Sequence, residues 1–377
     1  MKVLIISHTC VVEEYRKRFF FLKKLYPEIE LKVIVPDKWE EFGRWIKTKK
    51  NEIDKDYELK IKKPLRFFKK KPLLNVTYFY PLIINEIKSF NPDIVDIIEE
   101  PYSCITGYTV MLLKMFFPHV KICFFSAQNI YKKYPFPFSW IQSYVLKNSD
   151  FAFPCSSEVA EILKKQGYKK NYAVLPLGTD VEKFKCVREY NKTKLTVGFA
   201  GRLEKVKGID ILLEAICKDE FKNVDFKIAG VGSMEVEVKE KIKSYYNIEL
   251  ITDLKHEQMP EFYKNIDILL NTSVTQKNIK EQFGRVVVEA MAAGCIVITS
   301  NSGEPKNLVL DKTLIYNENS SEELSKKLET VINLILNQPE KYKELSINNI
   351  KHSQRNYSWE KVAQITFESY KTLIKVF

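Results

Sequence analysis

No two of the seven cysteines stand in a C-x-x-C arrangement, and their number is odd. Most sit in apolar surroundings. That reads as reduced thiols in an intracellular chain, not as a disulfide or zinc framework. Glycine is scarce: of twelve in 377 residues, nine fall between 178 and 303. Backbone that must turn sharply or approach a ligand is therefore expected in the second half. No uninterrupted apolar run is long enough to span a bilayer. The most apolar region, 104–125, is broken by Lys114, Pro118, His119 and Lys121. It predicts a helix to about Phe117, a turn, and a strand "VKICFF". A signal segment is not expected, because "MKVLIIS" is short and "EEYRKR" follows at once. RNP, zinc and helix-turn-helix signatures are also missing, which argues against a nucleic-acid partner. The formal charge of +12, from 60 Lys plus Arg against 48 Asp plus Glu, then favours acidic lipid or a phosphorylated substrate.

What is present is ordinary globular composition, 45% hydrophobic and 29% charged. The length favours two domains. Short apolar strands alternate with amphipathic helical stretches. "KVLIIS" (2–7), "LKVIVP" (31–36), "DIVDII" (93–98), "VKICFF" (120–125) and "FAFPCS" (151–156) form one series. "KLTVGFA" (194–200), "VDFKIAG" (224–230), "NIELIT" (247–252), "DILLNTS" (267–273) and "CIVITS" (295–300) form a second. The alternation predicts two doubly wound α/β halves with parallel sheets. The polar stretch 182–194 lacks periodicity and marks the boundary, giving domains 1–187 and 188–356. Ligands of such sheets bind beyond the carboxyl ends of the strands.

Three clusters fall at such ends in the second half. In "GFAGRLEKVKG", Arg202 and Lys207 precede a helix start and make an anion site, though the Walker A order is absent. In "IAGVGSME", Gly230 and Gly232 follow a strand. Glu235 stands where a dinucleotide fingerprint needs its third glycine, so a close-approach turn is the better reading than NAD. In "EQFGRVVVEAMAAG", Glu281 and Glu289 bracket Phe283 and Gly284, and helical pattern runs from about Gly284 to Ala293. Were the helix to run through both glutamates, they would lie roughly 12 Å apart. That is too far for a hydrolase acid/base pair. It suits an extended ligand with a sugar at one end and a ribose at the other, its phosphates facing free helix N–H groups. Taken singly, a capping Glu281 and a Glu289 in a buried ion pair would also explain the two. Three clusters at successive strand ends favour the ligand.

These segments resemble the family-4 retaining glycosyltransferases of GT-B fold. The matching pieces are "VLPLGTDVEKF" (174–184), "GRLEKVKG" (201–208), "IAGVGSME" (228–235), "EQFGRVVVEAMAAGCIVIT" (281–299) and "YSWEKVAQITFESY" (357–370). The resemblance implies two Rossmann-like domains facing across a cleft, with the final helix, 357–377, crossing back to the first. It implies that Arg202 and Lys207 hold the donor diphosphate. Glu289 would bind the ribose; Glu281, with the Phe283–Gly284 backbone, would contact the donor sugar. Amides near Val286 and Val287 would touch the phosphates. No metal and no cofactor are implied beyond a nucleotide-sugar co-substrate of UDP or GDP type. "DKD" (54–56) is read as solvated surface, not a metal motif.

The first half departs from the family. A glycine pair is replaced by "SHTCVVEE" (7–14), and a His-Asp by "SAQN" (126–129). Gln128 and Asn129 can bind an acceptor hydroxyl but cannot act as a base. His8 is the other polar candidate on the acceptor side, or else a structural histidine. The basic segment 60–74 alternates cations with Leu, Phe and Pro, and "YRKRFFFLKKLY" (15–26) is similar. Each fits an anionic membrane surface or a solvated face. The expectation is a cytoplasmic or peripheral enzyme that glycosylates a glycan or lipid-linked acceptor. The rivals are an epimerase, for which "SAQN" offers no acid or base, and a non-catalytic binding module.

Overall fold

Apolar runs rich in Val and Ile, buried on both faces, form the strands of two parallel sheets. The computed structural model describes all residues except 42–43, 69–72 and 376–377. The first unit comprises Met1–Gly178 and Trp359–Phe377, the second Thr179–Ser358. In chain order the first holds β1 (Lys2–Ile6), α1 (Glu13–Leu25), β2 (Glu30–Pro36), β3 (Lys38–Glu41), β4 (Arg44–Lys47), β5 (Glu58–Lys62), β6 (Leu65–Arg66), α2 (Leu73–Val76), β7 (Tyr78–Phe79) and α3 (Ile83–Phe90). It continues with β8 (Ile94–Ile97), α4 (Cys104–Phe116), β9 (Lys121–Ser126), α5 (Phe138–Asn148), β10 (Phe151–Pro154), α6 (Ser157–Lys165) and β11 (Asn171–Tyr172). The second holds α7 (Val181–Phe184), β12 (Thr196–Ala200), α8 (Ile209–Ile216), β13 (Asp225–Ala229), α9 (Glu235–Ile242), β14 (Ile248–Ile251), α10 (Met259–Lys264) and β15 (Ile268–Asn271). It ends with α11 (Arg285–Ala292), β16 (Ile296–Ser300), α12 (Pro305–Leu308), β17 (Ile315–Tyr316), α13 (Ser321–Asn337) and α14 (Pro339–Tyr357). Helix α15 (Trp359–Lys375) belongs to the first unit.

The first sheet runs β11-β10-β9-β8-β1-β2-β5, the second β14-β13-β12-β15-β16-β17. Strand order reverses between β1 and β8 in one and between β12 and β15 in the other. Loops leaving adjacent strands diverge at these switch points and open a crevice.

The expected boundary at 187/188 is corrected to 178/179. The polar stretch after Thr179 is no linker, because Arg188 pins it to the second unit. Its Nη1 donates to the Ile266 carbonyl at 2.8 Å and Nη2 to the Tyr263 carbonyl at 2.8 Å. Phe184 packs edge-on against Tyr263. Helix α15 packs within the first unit. Its Tyr370 hydroxyl donates to Asp96 at 2.6 Å, and Trp359 Nε1 donates to Glu14 at 2.9 Å.

The basic segments also need correction. Lys60 and Lys62 lie on β5, an edge strand that sequence periodicity did not reveal. Lys62 pairs with Glu86 at 2.6 Å and Arg66 with Asp37 at 3.1 Å. Lys69, Lys70 and Lys71 lie outside the described residues. In α1, Arg16 and Arg18 turn inward to Asp54 and Asp96, at 2.8 and 2.9 Å. Asp54 is therefore wholly buried and not solvated surface. The Arg16 guanidinium and the Tyr57 hydroxyl hold its carboxyl below the usual range, against the opposing effect of burial. No described helix is long and apolar enough to cross a membrane.

Candidate nucleotide-sugar site

The switch point of the second sheet gathers three of the residues singled out above. The loop after β12 carries Arg202, then a short turn, Lys205–Lys207, then Gly208 at the start of α8. The loop after β15 braces that turn. Thr272 Oγ1 donates to the Lys207 carbonyl at 2.7 Å, and the Val274 N–H to that of Val206 at 2.9 Å. The Lys207 ammonium is thereby set against the Glu281 carboxylate, with which it forms an ion pair. Ser273 Oγ donates to the same carboxylate oxygen at 3.1 Å. Each partner keeps about a fifth of its side chain exposed. A cation and a carboxylate, pre-positioned beside a helix start, can bind a phosphate and a hydroxyl-rich group together.

Helix α11 starts at Arg285, so it does not run through Glu281 and the 12 Å estimate does not apply. Gly284 caps it with φ +89°, a conformation that side chains resist, and a Cβ there would press on Pro305. No side chain caps the helix. The Val287 N–H donates to the Gly284 carbonyl at 3.0 Å, and the Val287 side chain is buried. The Val287 N–H is thus engaged at the start of its own helix. Phe283 is buried and packs edge-on against Tyr357, so only its backbone can serve a ligand.

Glu289 is 4% exposed and sits on the inner face of α11. The Tyr263 hydroxyl donates to it at 3.0 Å. A hydrogen bond from a buried phenol is what the structure places there. Burial and the Glu289 charge both push the Tyr263 phenol well above its ordinary range.

Gly230 and Gly232 stand where backbone approaches backbone. A Cβ on Gly230 would strike the Gly201 carbonyl, and one on Gly232 the Leu203 carbonyl. Both glycines let two neighbouring βα loops touch, which fixes the loop bearing Arg202. The Arg202 side chain is exposed, and its charge faces Glu204. Ser233 donates to Glu204 through its hydroxyl at 2.8 Å and its N–H at 3.2 Å, holding that carboxyl below the usual range.

The acceptor-side candidates lie in the first unit. His8 is buried after β1, and both oxygens of Glu99 lie within 2.7 Å of its Nδ1. Asn129 is buried and Gln128 partly so; Gln128 Nε2 donates to the Ile130 carbonyl at 3.1 Å. Their segment is held by Glu100, which accepts from Ser126 Oγ at 2.7 Å and from the Ala127 N–H at 2.8 Å. Burial pushes the Glu100 carboxyl up to about 7 despite those bonds. The segment "SAQN" itself offers no acid or base, but Glu100 stands against it and Glu99 is its chain neighbour. Sequence reasoning missed both, along with Ser273, Thr272 and Tyr263. The pair could have been found, because two carboxylates closing an apolar strand are costly to bury without partners.

Residues 180–352 match the family model of the glycosyl transferases, group 1. The chain is 26% identical over 193 residues to a phosphatidylinositol N-acetylglucosaminyltransferase GPI3 subunit of Saccharomyces cerevisiae. That match takes in 49% of this chain and 40% of the yeast subunit, so the chain spans less than half the length of this relative. Among solved structures, a glycosyltransferase from Rickettsia africae superposes with a TM-score of 0.73 at 18% identity, over 100% of this chain and 99% of its own. Anabaena HepE in complex with UDP gives 0.72 at 14% identity, over 99% and 100%. At these identities the likeness shows the fold, which is GT-B.

Proposed function

We propose that the protein is a retaining, metal-independent glycosyltransferase that moves a sugar from a nucleotide diphosphate to a glycan or lipid-linked acceptor. The Lys207–Glu281 pair carries this reading. It stands at a switch point, inside the segment that matches the family, beside the starts of α8 and α11. Lys207 and Arg202 would take the diphosphate, and the backbone dipoles at the start of α11 would share its charge. Glu281 would hold sugar hydroxyls and Glu289 the ribose. As the glycosidic bond breaks, charge gathers on the diphosphate, and fixed cations and amide dipoles stabilise that change most. A UDP-type donor is supported by the UDP bound to HepE. A lipid acceptor is supported by the phosphatidylinositol in the yeast relative's name.

A thermal-shift series with UDP, GDP and ADP tests the reading. A ligand at about 100 times its dissociation constant adds roughly 2.7 kcal/mol to the unit that binds it. One nucleotide should raise the melting temperature clearly; no response to any would sink the proposal. An epimerase is the second reading, because His8, Glu99 and Glu100 supply the titratable groups it would require. It would return a new sugar nucleotide without releasing nucleoside diphosphate.

A further inference from the structure

Helices α3, α4 and α5 and the β6–β7 hairpin cover one face of the first sheet. Their inner side chains, among them Tyr78, Ile83, Val110 and Ile141, share a core with Leu4, Ile6 and Val95 of the strands. The members of this layer touch. A Cβ on Gly107 would strike the Ile141 side chain, so α4 and α5 lie close together. Phe79 joins the hairpin to α4, its ring 5.6 Å from Phe67 and 5.4 Å from Tyr108. Helical spacing puts Tyr108, Met111 and Met115 on the outer stripe of α4, and Trp140, Tyr144 and Lys147 on that of α5. Phe67, Leu82, Met115 and Trp140 are more than half exposed, and Phe136, just before α5, is 82% exposed. Large apolar side chains gathered outward mark an interaction surface.

Charge in these elements has one sign. Residues 59–85 hold seven cations and residues 101–149 five, and neither stretch contains an Asp or a Glu. The five carboxylates between them are engaged elsewhere. Glu86 pairs with Lys62 and Asp96 with Arg18. Asp93 accepts from the Lys2 N–H, Glu99 from the Tyr78 hydroxyl and Glu100 from Ser126 Oγ. We propose that the outer side of this layer docks on an anionic lipid bilayer. Phe67, Met115, Phe136 and Trp140 enter the interface, and the lysines lie over the headgroups. Aromatic rings and long lysine stems suit that boundary, where one end is apolar and the other wet. A second copy of this chain is a poor occupant, because a symmetric contact would set the same cations against one another. A nucleic acid gains little from Leu82, Met111 and Met115, which offer no flat ring to a base. The proposal goes beyond the transferase reading and does not depend on it, since vesicle binding involves no sugar nucleotide.

The full chain is floated at low salt with phosphatidylglycerol vesicles and, separately, with phosphatidylcholine vesicles. It should rise with the first and not with the second. Tryptophan emission should shift to the blue on binding and be quenched by brominated lipid. Trp140→Phe should remove most of that response while binding remains. Met115→Asp combined with Trp140→Asp should weaken binding at least about tenfold. Lys133→Ser and Lys147→Ser, both at exposed positions, should each cost about fivefold. All four side chains lie at the surface, so melting curves should match that of the wild type. Tyr246→Asp, at an exposed residue of the second unit, should leave vesicle binding unchanged. No flotation with phosphatidylglycerol, or flotation without a tryptophan response, would overturn the proposal. So would a dimer in solution that Trp140→Asp dissolves, or retention on DNA as strong as on vesicles. If vesicles bind and no nucleotide does, the donor reading has failed and this surface stands.

Discussion

Replacing Glu281 with Gln should tighten the binding of bare UDP, although the same change damages sugar transfer. The reason lies in the resting ion pair. Lys207 is held by Glu281, so a diphosphate must compete with that carboxylate for the ammonium. Two unit charges 4 Å apart attract by about 4 kcal/mol at an effective dielectric of about 20. Exposed pairs yield about 1 kcal/mol or less after solvation and side-chain entropy. The Lys207 and Glu281 side chains are 21% and 18% exposed, which places this pair between those limits. A release of about 1 to 2 kcal/mol corresponds to roughly 5- to 30-fold tighter binding. Calorimetry with UDP reads it directly. Lys207→Met should lose at least about tenfold in affinity, and the double variant should match Lys207→Met, because the glutamate then has no ammonium to withhold. If Glu281→Gln binds UDP more weakly than the wild type, the carboxylate touches the nucleotide and the orientation of the donor is reversed.

Other consequences are as direct. Lys207→Ala should cut turnover by about 10²-fold or more with the fold intact, checked by steady-state kinetics beside a melting curve. Tyr263→Phe removes a donor from the buried Glu289 carboxylate and should cost about 1–3 kcal/mol in urea unfolding. For Glu100 the sign is set by a carboxyl that is raised in the folded state, to about 7. Between the ordinary carboxylate range and 7 the folded chain holds more protons than the unfolded one, so stability falls as pH rises through that window. Denaturant titrations from pH 4.5 to 8 should show this slope, and Glu100→Gln should flatten it. Vesicle co-sedimentation tests the surface bearing Lys60, Lys63, Phe67 and Phe68. Binding to anionic vesicles should weaken as salt rises, and indifference to them at low salt would return the segment to solvent.

The strands were legible because parallel strands covered on both faces are continuous apolar runs, as in Val3–Ile6 and Ile296–Ile298. Strand β5 was not, since an edge strand that alternates charged residues with Leu59 and Ile61 reads as a charged loop. The pairing of Arg16 with Asp54 shows the same blind spot: a cation and a carboxylate far apart in sequence look solvated until folding joins them. In the second unit, Lys207 and Glu281 could be named from local spacing, but their contact depends on Thr272 and Val274 bracing the loop between them. Boundary residues 179–188 misled for a related reason. Their order comes from Arg188 reaching three distant carbonyls, and no local period records that.

The central claim is group transfer from a nucleotide sugar, and one measurement addresses it. The full chain is incubated with UDP-N-acetylglucosamine, UDP-glucose or GDP-mannose, phosphatidylinositol vesicles and a chelator. Released nucleoside diphosphate and the remaining sugar nucleotides are then quantified together. The expected result is diphosphate release from one donor, unchanged by the chelator and lost in Lys207→Ala. An epimerised sugar nucleotide without diphosphate release, or no reaction with any donor, would contradict it.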